Sequence, residues 1–178
     1  IKDRLMPVSF TDPISIFRMT SFSSIAATQN RKSELYDYLL SYIFSNDEFA
    51  RSVLNEAWQL GYFNKGLESN LRKLVAYLMN ALSPKINCLI IDEAHNYKYG
   101  IGGDTYDESI RNETTARFLG AVKDNSILNN FPELRSKIKL PLAEKIICLS
   151  ATPKDRSLLE IKNQFNCFSN KHILSDST

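Results

Sequence analysis

Apolar residues recur at helical spacing in three segments of the first half of the chain. Positions three and four apart are apolar in each segment, so each should form a helix with one buried face. The predicted helices span 32–44, 47–60 and 67–82. Asn46 or Asp47 is expected to cap the second helix, Gly61 to end it, and Pro84 to close the third.

Two shorter runs are apolar at every position, which predicts strands instead. Cys88–Ile91 and Ile146–Leu149 lack the alternation of a half-exposed strand, and uninterrupted apolarity is typical of parallel strands covered by helices on both faces. Residues 14–22, rich in β-branched and aromatic side chains, predict a further strand. Strands separated by helical sequence indicate an α/β fold with a parallel sheet flanked by helices.

The remaining segments carry weaker patterns. Residues 97–110 are rich in Gly, Asp and Tyr and predict a mobile surface loop, and 124–141 predicts irregular structure. Helices are expected at about 112–123 and 157–165, followed by a polar tail at 166–178. Residues 31–82 would form a helical insertion or a helical layer of one domain that spans 1–178.

Composition narrows the class of protein. The 178 residues are 43% hydrophobic and 24% charged, which suits one soluble globular domain, and no apolar run is long enough for a membrane span. The net charge of +2 decides nothing about nucleic acid, because phosphate binding depends on local clustering of Lys and Arg. Three widely spaced cysteines predict no disulfide framework, so a reducing cytoplasmic location is expected. A start at Ile1, without Met, suggests a fragment, a processed product or an incomplete chain.

Two adjacent carboxylates follow the first apolar run. Parallel strands deliver such residues to the carboxyl edge of the sheet, where open α/β folds bind ligands. Nucleotide hydrolysis needs an acidic residue that holds Mg²⁺ and a second carboxylate that orients the attacking water. Asp92 fits the first role and Glu93 the second. The alternative is an acidic cap at a helix N-terminus, which is common for a lone Asp.

The string Asp92-Glu93-Ala94-His95 is more specific than its members. At roughly five percent per residue type it arises by chance in about one chain in a thousand of this length. The second apolar run also ends in small hydroxyl residues, Ser150-Ala151-Thr152-Pro153. Hydroxyls at that point can bond to the Asp-Glu-Ala-His turn, so the two strand ends are expected to meet.

These two strings together resemble motifs II and III of superfamily-two helicases and translocases. The resemblance implies that the fold is the first RecA-like domain and that ATP is the nucleotide. It implies that Asp92 binds Mg²⁺ and that Glu93 activates water. It further implies that His95 links the nucleotide site to motif III or to the second domain, while Ser150 and Thr152 couple hydrolysis to movement on nucleic acid. A satisfied core histidine is the alternative for His95.

The residues around the motifs bear on the nucleic acid. Asn96-Tyr97-Lys98, Arg111 and Arg117-Phe118-Leu119 resemble the chromatin-remodeller and RapA-like branch of double-strand translocases, which favours DNA over RNA. Thr20 and Ser21 occupy the place of motif Ia or Ib, where they would meet phosphates. An ordinary sheet strand that makes no contact with nucleic acid is an equally good interpretation of the stretch around Thr20 and Ser21.

A phosphate-binding loop is missing from these 178 residues. Such a loop ends in Gly-Lys-Ser/Thr, and none of the six glycines fits this pattern. Gly100-Ile101-Gly102-Gly103 lacks the lysine and predicts a flexible connector. The resemblance therefore implies that motif I and a second RecA-like domain are supplied by other sequence, and that the fragment is inactive alone. The competing hypothesis is a non-catalytic helicase-like scaffold that binds protein or nucleic acid.

Overall fold

The structure is a computed structural model that describes residues 32–44, 47–101, 106–151 and 158–168. The predicted strand at 14–22, with Thr20 and Ser21, lies outside the described residues, as does Thr152. Within the described ranges no helix is long and apolar enough to cross a membrane. Cys88, Cys148 and Cys167 are free thiols in the structure.

The described residues contain seven α-helices and a two-stranded parallel sheet, so the predicted α/β class is confirmed. The helices are α1 Lys32–Tyr38, α2 Glu48–Gln59, α3 Glu68–Leu82, α4 Tyr106–Phe118, α5 Asn125–Leu128, α6 Pro132–Lys137 and α7 Leu158–Phe168. The strands are β1 Ile86–Ile91 and β2 Ala143–Cys148. A π-helical turn, Leu39–Ile43, continues α1, and a 3₁₀ turn, Ala94–Tyr97, follows β1.

The three helices predicted from apolar periodicity are present. Asp47 begins α2 as its cap, since its Oδ1 accepts the backbone N–H of Ala50 at 2.7 Å. These helices pack with α5 and α6 around one apolar core, here called the helical cluster. Its largest fully buried side chains are Tyr77, Leu39, Leu54, Leu74, Leu78, Leu128, Phe131 and Leu134.

The prediction for α4 was wrong at both ends. The helix begins at Tyr106, inside the expected loop, and ends at Phe118 instead of continuing to residue 123. Its first turn, Tyr106–Ser109, is mostly polar, so apolar periodicity gave no signal there. The helix ends because Gly120 adopts φ +74°, and Ala121 N–H then donates to Ala116 O at 2.8 Å.

Two other segments are more regular than expected. The stretch at 124–141 contains α5, which Asp124 caps by accepting the Ser126 N–H at 3.1 Å, and α6, which begins at Pro132. The predicted polar tail begins later than 166, because α7 continues to Phe168. Cys167 and Phe168 are buried at its end, and their packing keeps the last turn of the helix in place.

The parallel sheet is covered on one face only within the described residues. Leu89 and Ile91 of β1 and Ile146 and Cys148 of β2 pack on residues of α3, α4 and α7, here called the sheet cluster. The opposite face carries Cys88, Ile90, Ile147 and Leu149; Ile90 is 61% exposed and Ile147 46%. The prediction that both strand faces are buried is therefore wrong for the described part of the molecule.

Asn80 joins the two clusters from the buried face of α3. Its Nδ2 donates to Phe118 O at 2.7 Å and to Lys139 O at 3.1 Å, and its Oδ1 accepts the Lys139 N–H at 2.8 Å. The side chain of Asn80 is completely buried. Without these hydrogen bonds, its amide group would be desolvated and unpaired, which would destabilise the fold. Asn80 therefore fixes the end of α4 and the approach to β2 against α3.

Candidate functional site

The candidate site is the turn that follows β1, where it meets the end of β2. The parallel ladder pairs Ile91 with Cys148, so both strands end at the same sheet edge. Two backbone bonds extend the pairing beyond the strands: Leu149 N–H donates to Ile91 O at 2.8 Å, and Ala94 N–H donates to Leu149 O at 2.9 Å. The turn is thus held to β2 by its backbone before any side chain contributes.

Asp92 and Glu93 are both exposed at this edge. Asp92 Oδ1 accepts the backbone N–H of Glu93 at 2.9 Å. Glu93 has φ +54°, and it is the one residue other than glycine with a positive φ in the described ranges. This left-handed backbone conformation costs a residue other than glycine about 1–2 kcal/mol. The hydrogen bonds around Glu93 must therefore hold the turn in place.

His95 connects Glu93 with the end of β2. Its Nδ1 lies 3.0 Å from Glu93 Oε2 and 3.3 Å from Ser150 Oγ. An ionised carboxylate can only accept, so the contact with Glu93 requires a proton on Nδ1. The sequence predicted a hydroxyl contact between the two motifs, and Ser150 makes that contact.

Tyr97 anchors the 3₁₀ turn in the sheet cluster. Its ring is buried, lies edge-on to Phe168 with centroids 4.8 Å apart, and its hydroxyl is 3.3 Å from Thr115 Oγ1. Burial raises the pKa of the Tyr97 hydroxyl, although the Thr115 bond and the Arg111 charge oppose the rise. The tyrosine therefore stays neutral and fixes the turn as a packed, hydrogen-bonded element.

Arg111 holds the same turn from α4. Its Nη2 donates to Asn96 O, and its guanidinium lies 5.1 Å from the centre of the Tyr97 ring. From the sequence, Arg111 was interpreted only as a mark of the family branch, and no anchoring role was predicted for Tyr97 or Thr115. A signal was available, because Arg111 and Thr115 are four residues apart and share one helix face.

The chain after the turn is fixed by two asparagines. Asn112 Nδ2 donates to Gly100 O at 2.9 Å, and Asn163 Nδ2 donates to Lys98 O at 3.1 Å. Gly100, predicted to belong to a flexible connector, is buried with φ +71°, while Gly102 and Gly103 lie outside the described residues. Helix α4 thus holds both ends of the stretch from Asn96 to Gly100, and α7 holds its middle at Lys98.

The side chains at this sheet edge present exposed oxygen atoms that could bind a metal ion. No group of three His, Cys, Asp or Glu side chains in the described ranges could hold a metal by itself. Mg²⁺ is commonly bound through one or two carboxylates together with phosphate oxygens and water, and the exposed carboxylate of Asp92 fits that pattern. The nearby thiol of Cys167 is unsuited to metal binding, because burial raises its pKa to about 12 although the Arg111 charge opposes the rise.

The predicted site residues are therefore partly assembled in the structure. Asp92, Glu93, His95 and Ser150 lie at one sheet edge, and Ala151 follows as an exposed residue. Thr152, Thr20 and Ser21 lie outside the described residues.

Comparison with known proteins identifies no relative. No family model matches the chain, and neither a curated protein nor a solved structure matches it significantly.

Proposed function

We propose that this chain is part of the first RecA-like domain of an ATP-dependent helicase or translocase that moves on nucleic acid, with DNA favoured over RNA. The observation that carries the proposal is the 3.3 Å approach of His95 Nδ1 to Ser150 Oγ. It joins two strings that are 55 residues apart in the chain and that the superfamily-two resemblance pairs as motifs II and III. Agreement between the resemblance and an independent tertiary contact supports the family assignment.

The proposed reaction is nucleotide hydrolysis with Mg²⁺ and ATP. Asp92 would hold the metal, which neutralises charge on the phosphates when it is bound. Glu93 would accept a proton from the attacking water, because a carboxylate at hydrogen-bond distance can act as a general base. His95 and Ser150 would report the state of that site to the end of β2. Motif I and the second RecA-like domain would be contributed by other sequence.

The test is nucleic-acid-stimulated ATP turnover of the chain joined to the sequence that natively flanks it. Glu93→Gln should lower kcat by about 100-fold or more, because it removes the base and keeps the side-chain volume. Glu144→Gln is the matched control, since Glu144 is an exposed residue near the opposite end of the same sheet. Unchanged turnover in Glu93→Gln would sink the assignment, and equal losses in both variants would point to a general structural effect.

A non-catalytic scaffold is the second candidate, and the exposed outer face of the sheet favours it. Ile90 and Ile147 pair in register and are 61% and 46% exposed, a combination more typical of a binding surface than of a free sheet. If the chain is a scaffold, the Ile147→Ser variant should no longer bind its partner. The chain should then show no ATP turnover, whether alone or joined to its flanking sequence. The motor would retain turnover that depends on Glu93.

A further inference from the structure

One ring nitrogen of His95, Nδ1, has two partners at the candidate site. Nδ1 lies 3.0 Å from Glu93 Oε2 and 3.3 Å from Ser150 Oγ, and it can carry a single proton. The shorter contact goes to the charged partner, which forms the stronger hydrogen bond. Glu93 and Ser150 therefore compete for one imidazole position.

We propose that His95 is a latch that holds Glu93 in a resting position and passes to Ser150 when Glu93 leaves. In the resting state, the Nδ1–H donates to the Glu93 carboxylate, and Ser150 receives only the weaker, longer contact. When the carboxylate turns away, Nδ1 becomes available to Ser150 as a full hydrogen-bond partner. The movement of Glu93 thereby changes the hydrogen bonding of Ser150 at the end of β2.

The backbone around the latch supports a change of side-chain partner without a change of fold. The Ala94 N–H is bonded to Leu149 O at 2.9 Å, and the Asn96 N–H is bonded to Glu93 O at 3.0 Å. These bonds hold the chain after Glu93, and the bond from Leu149 N–H to Ile91 O at 2.8 Å holds the chain before it, so the left-handed φ of Glu93 is kept in place. Glu93 and His95 side chains are 54% and 33% exposed, so both have room to move at the sheet edge.

The latch deepens the proposed function, because it would keep the base from acting until nucleotide draws Glu93 away. Its role rests on that function, but its existence does not. The competition can be measured in the chain without nucleotide, whereas the proposed function is tested by turnover of Glu93→Gln. Either test can fail while the other succeeds.

The first experiment is a double-mutant cycle on the 178-residue chain, with thermal unfolding as the readout. Ser150→Ala should lower Tm by about 1 °C in the wild type, where Glu93 holds the nitrogen. In a Glu93→Ala background the same change should lower Tm by about 3 °C, because Ser150 then makes the full bond. Equal losses in both backgrounds, or a smaller loss in Glu93→Ala, would overturn the competition.

The second experiment observes the proton and does not depend on a destabilised variant. The chain has two histidines, so His172→Gln leaves the ¹⁵N signals of His95 alone. The ¹⁵N chemical shift of Nδ1 separates a protonated from an unprotonated nitrogen. A protonated Nδ1 in the nucleotide-free chain is expected. An unprotonated Nδ1 would overturn the latch, because a carboxylate cannot accept from a lone pair.

Discussion

The helical cluster and the sheet cluster differ in the kinds of side chain that they and their surroundings bury. The helical cluster buries mainly leucine, tyrosine and phenylalanine side chains, and its helices follow the apolar periodicity of the chain. Polar side chains are also buried in the helices beside the sheet cluster, among them Asn112, Thr115 and Gln164, and on the uncovered face of the sheet Ile90 and Ile147 are exposed. Asn112 Oδ1 and Arg111 Nε have no hydrogen-bond partner among the residues that the structure describes.

This difference shows where stability and chemistry lie in the molecule. A core of apolar side chains is stabilised by burial alone, and it tolerates no polar group without a partner. A turn that presents two carboxylates must be held by specific bonds, as Tyr97, Arg111 and the Leu149 backbone do here. The helical cluster therefore supplies most of the apolar core, and the sheet cluster supports the edge that carries the candidate site.

The largest expected effect contrasts matched truncations in the two regions. Leu74→Ala should lower the free energy of unfolding by about 4 kcal/mol, since it leaves a cavity at a fully buried position of the helical cluster. Ile90→Ala, on the outer face of the sheet, should cost less than about 1 kcal/mol because that side chain is 61% exposed. Urea unfolding measures both. Similar losses would mean that the outer face is covered in solution.

The next effect concerns the backbone that connects the clusters. A Cβ on Gly120 would lie 2.2 Å from Lys139 O, at a φ of +74°. Gly120→Ala should therefore cost about 3 kcal/mol from strain and overlap together. Gly66 is the control, because its φ is +91° but nothing lies within 4 Å of the added atom, so Gly66→Ala should cost about 1 kcal/mol. Equal losses, measured by urea unfolding, would show that the contact with Lys139 is absent.

The smallest effect is a pH dependence at the boundary between the clusters. Burial alone would raise the pKa of Asp124, but bonds from Ser126 and Arg117 and the charges of Arg117 and Lys73 lower it below its usual 3.8. The resulting stability is present above the unfolded pKa and is lost as pH falls through the lowered folded pKa. Between about pH 5 and about pH 2, Asp124→Asn should therefore lose less stability than the wild type. Parallel acid-unfolding curves would contradict this.

The turn after β1 shows which parts of the candidate site could be predicted from the sequence. Asp92, Glu93 and His95 were identified from a four-residue string and its position after an apolar run, and the Ser150 contact followed from the parallel arrangement of two such runs. The anchoring of the turn by Tyr97 and Thr115 was not predicted. The spacing of Arg111 and Thr115 places both on one face of α4, but it does not specify that Tyr97, 18 positions before Thr115, packs against that face.

The sequence by itself determined the helices of the first half, the α/β class and the residues at the candidate edge, because each depends on local spacing or on the order of strands. Only the tertiary structure decided where α4 begins and ends, which sheet face is covered, and which partners His95 has. Those features depend on contacts between distant residues, such as Gly120 against Lys139 and His95 against Ser150. Hydrophobic periodicity specifies which residues are buried in an element, but it does not specify what they are buried against.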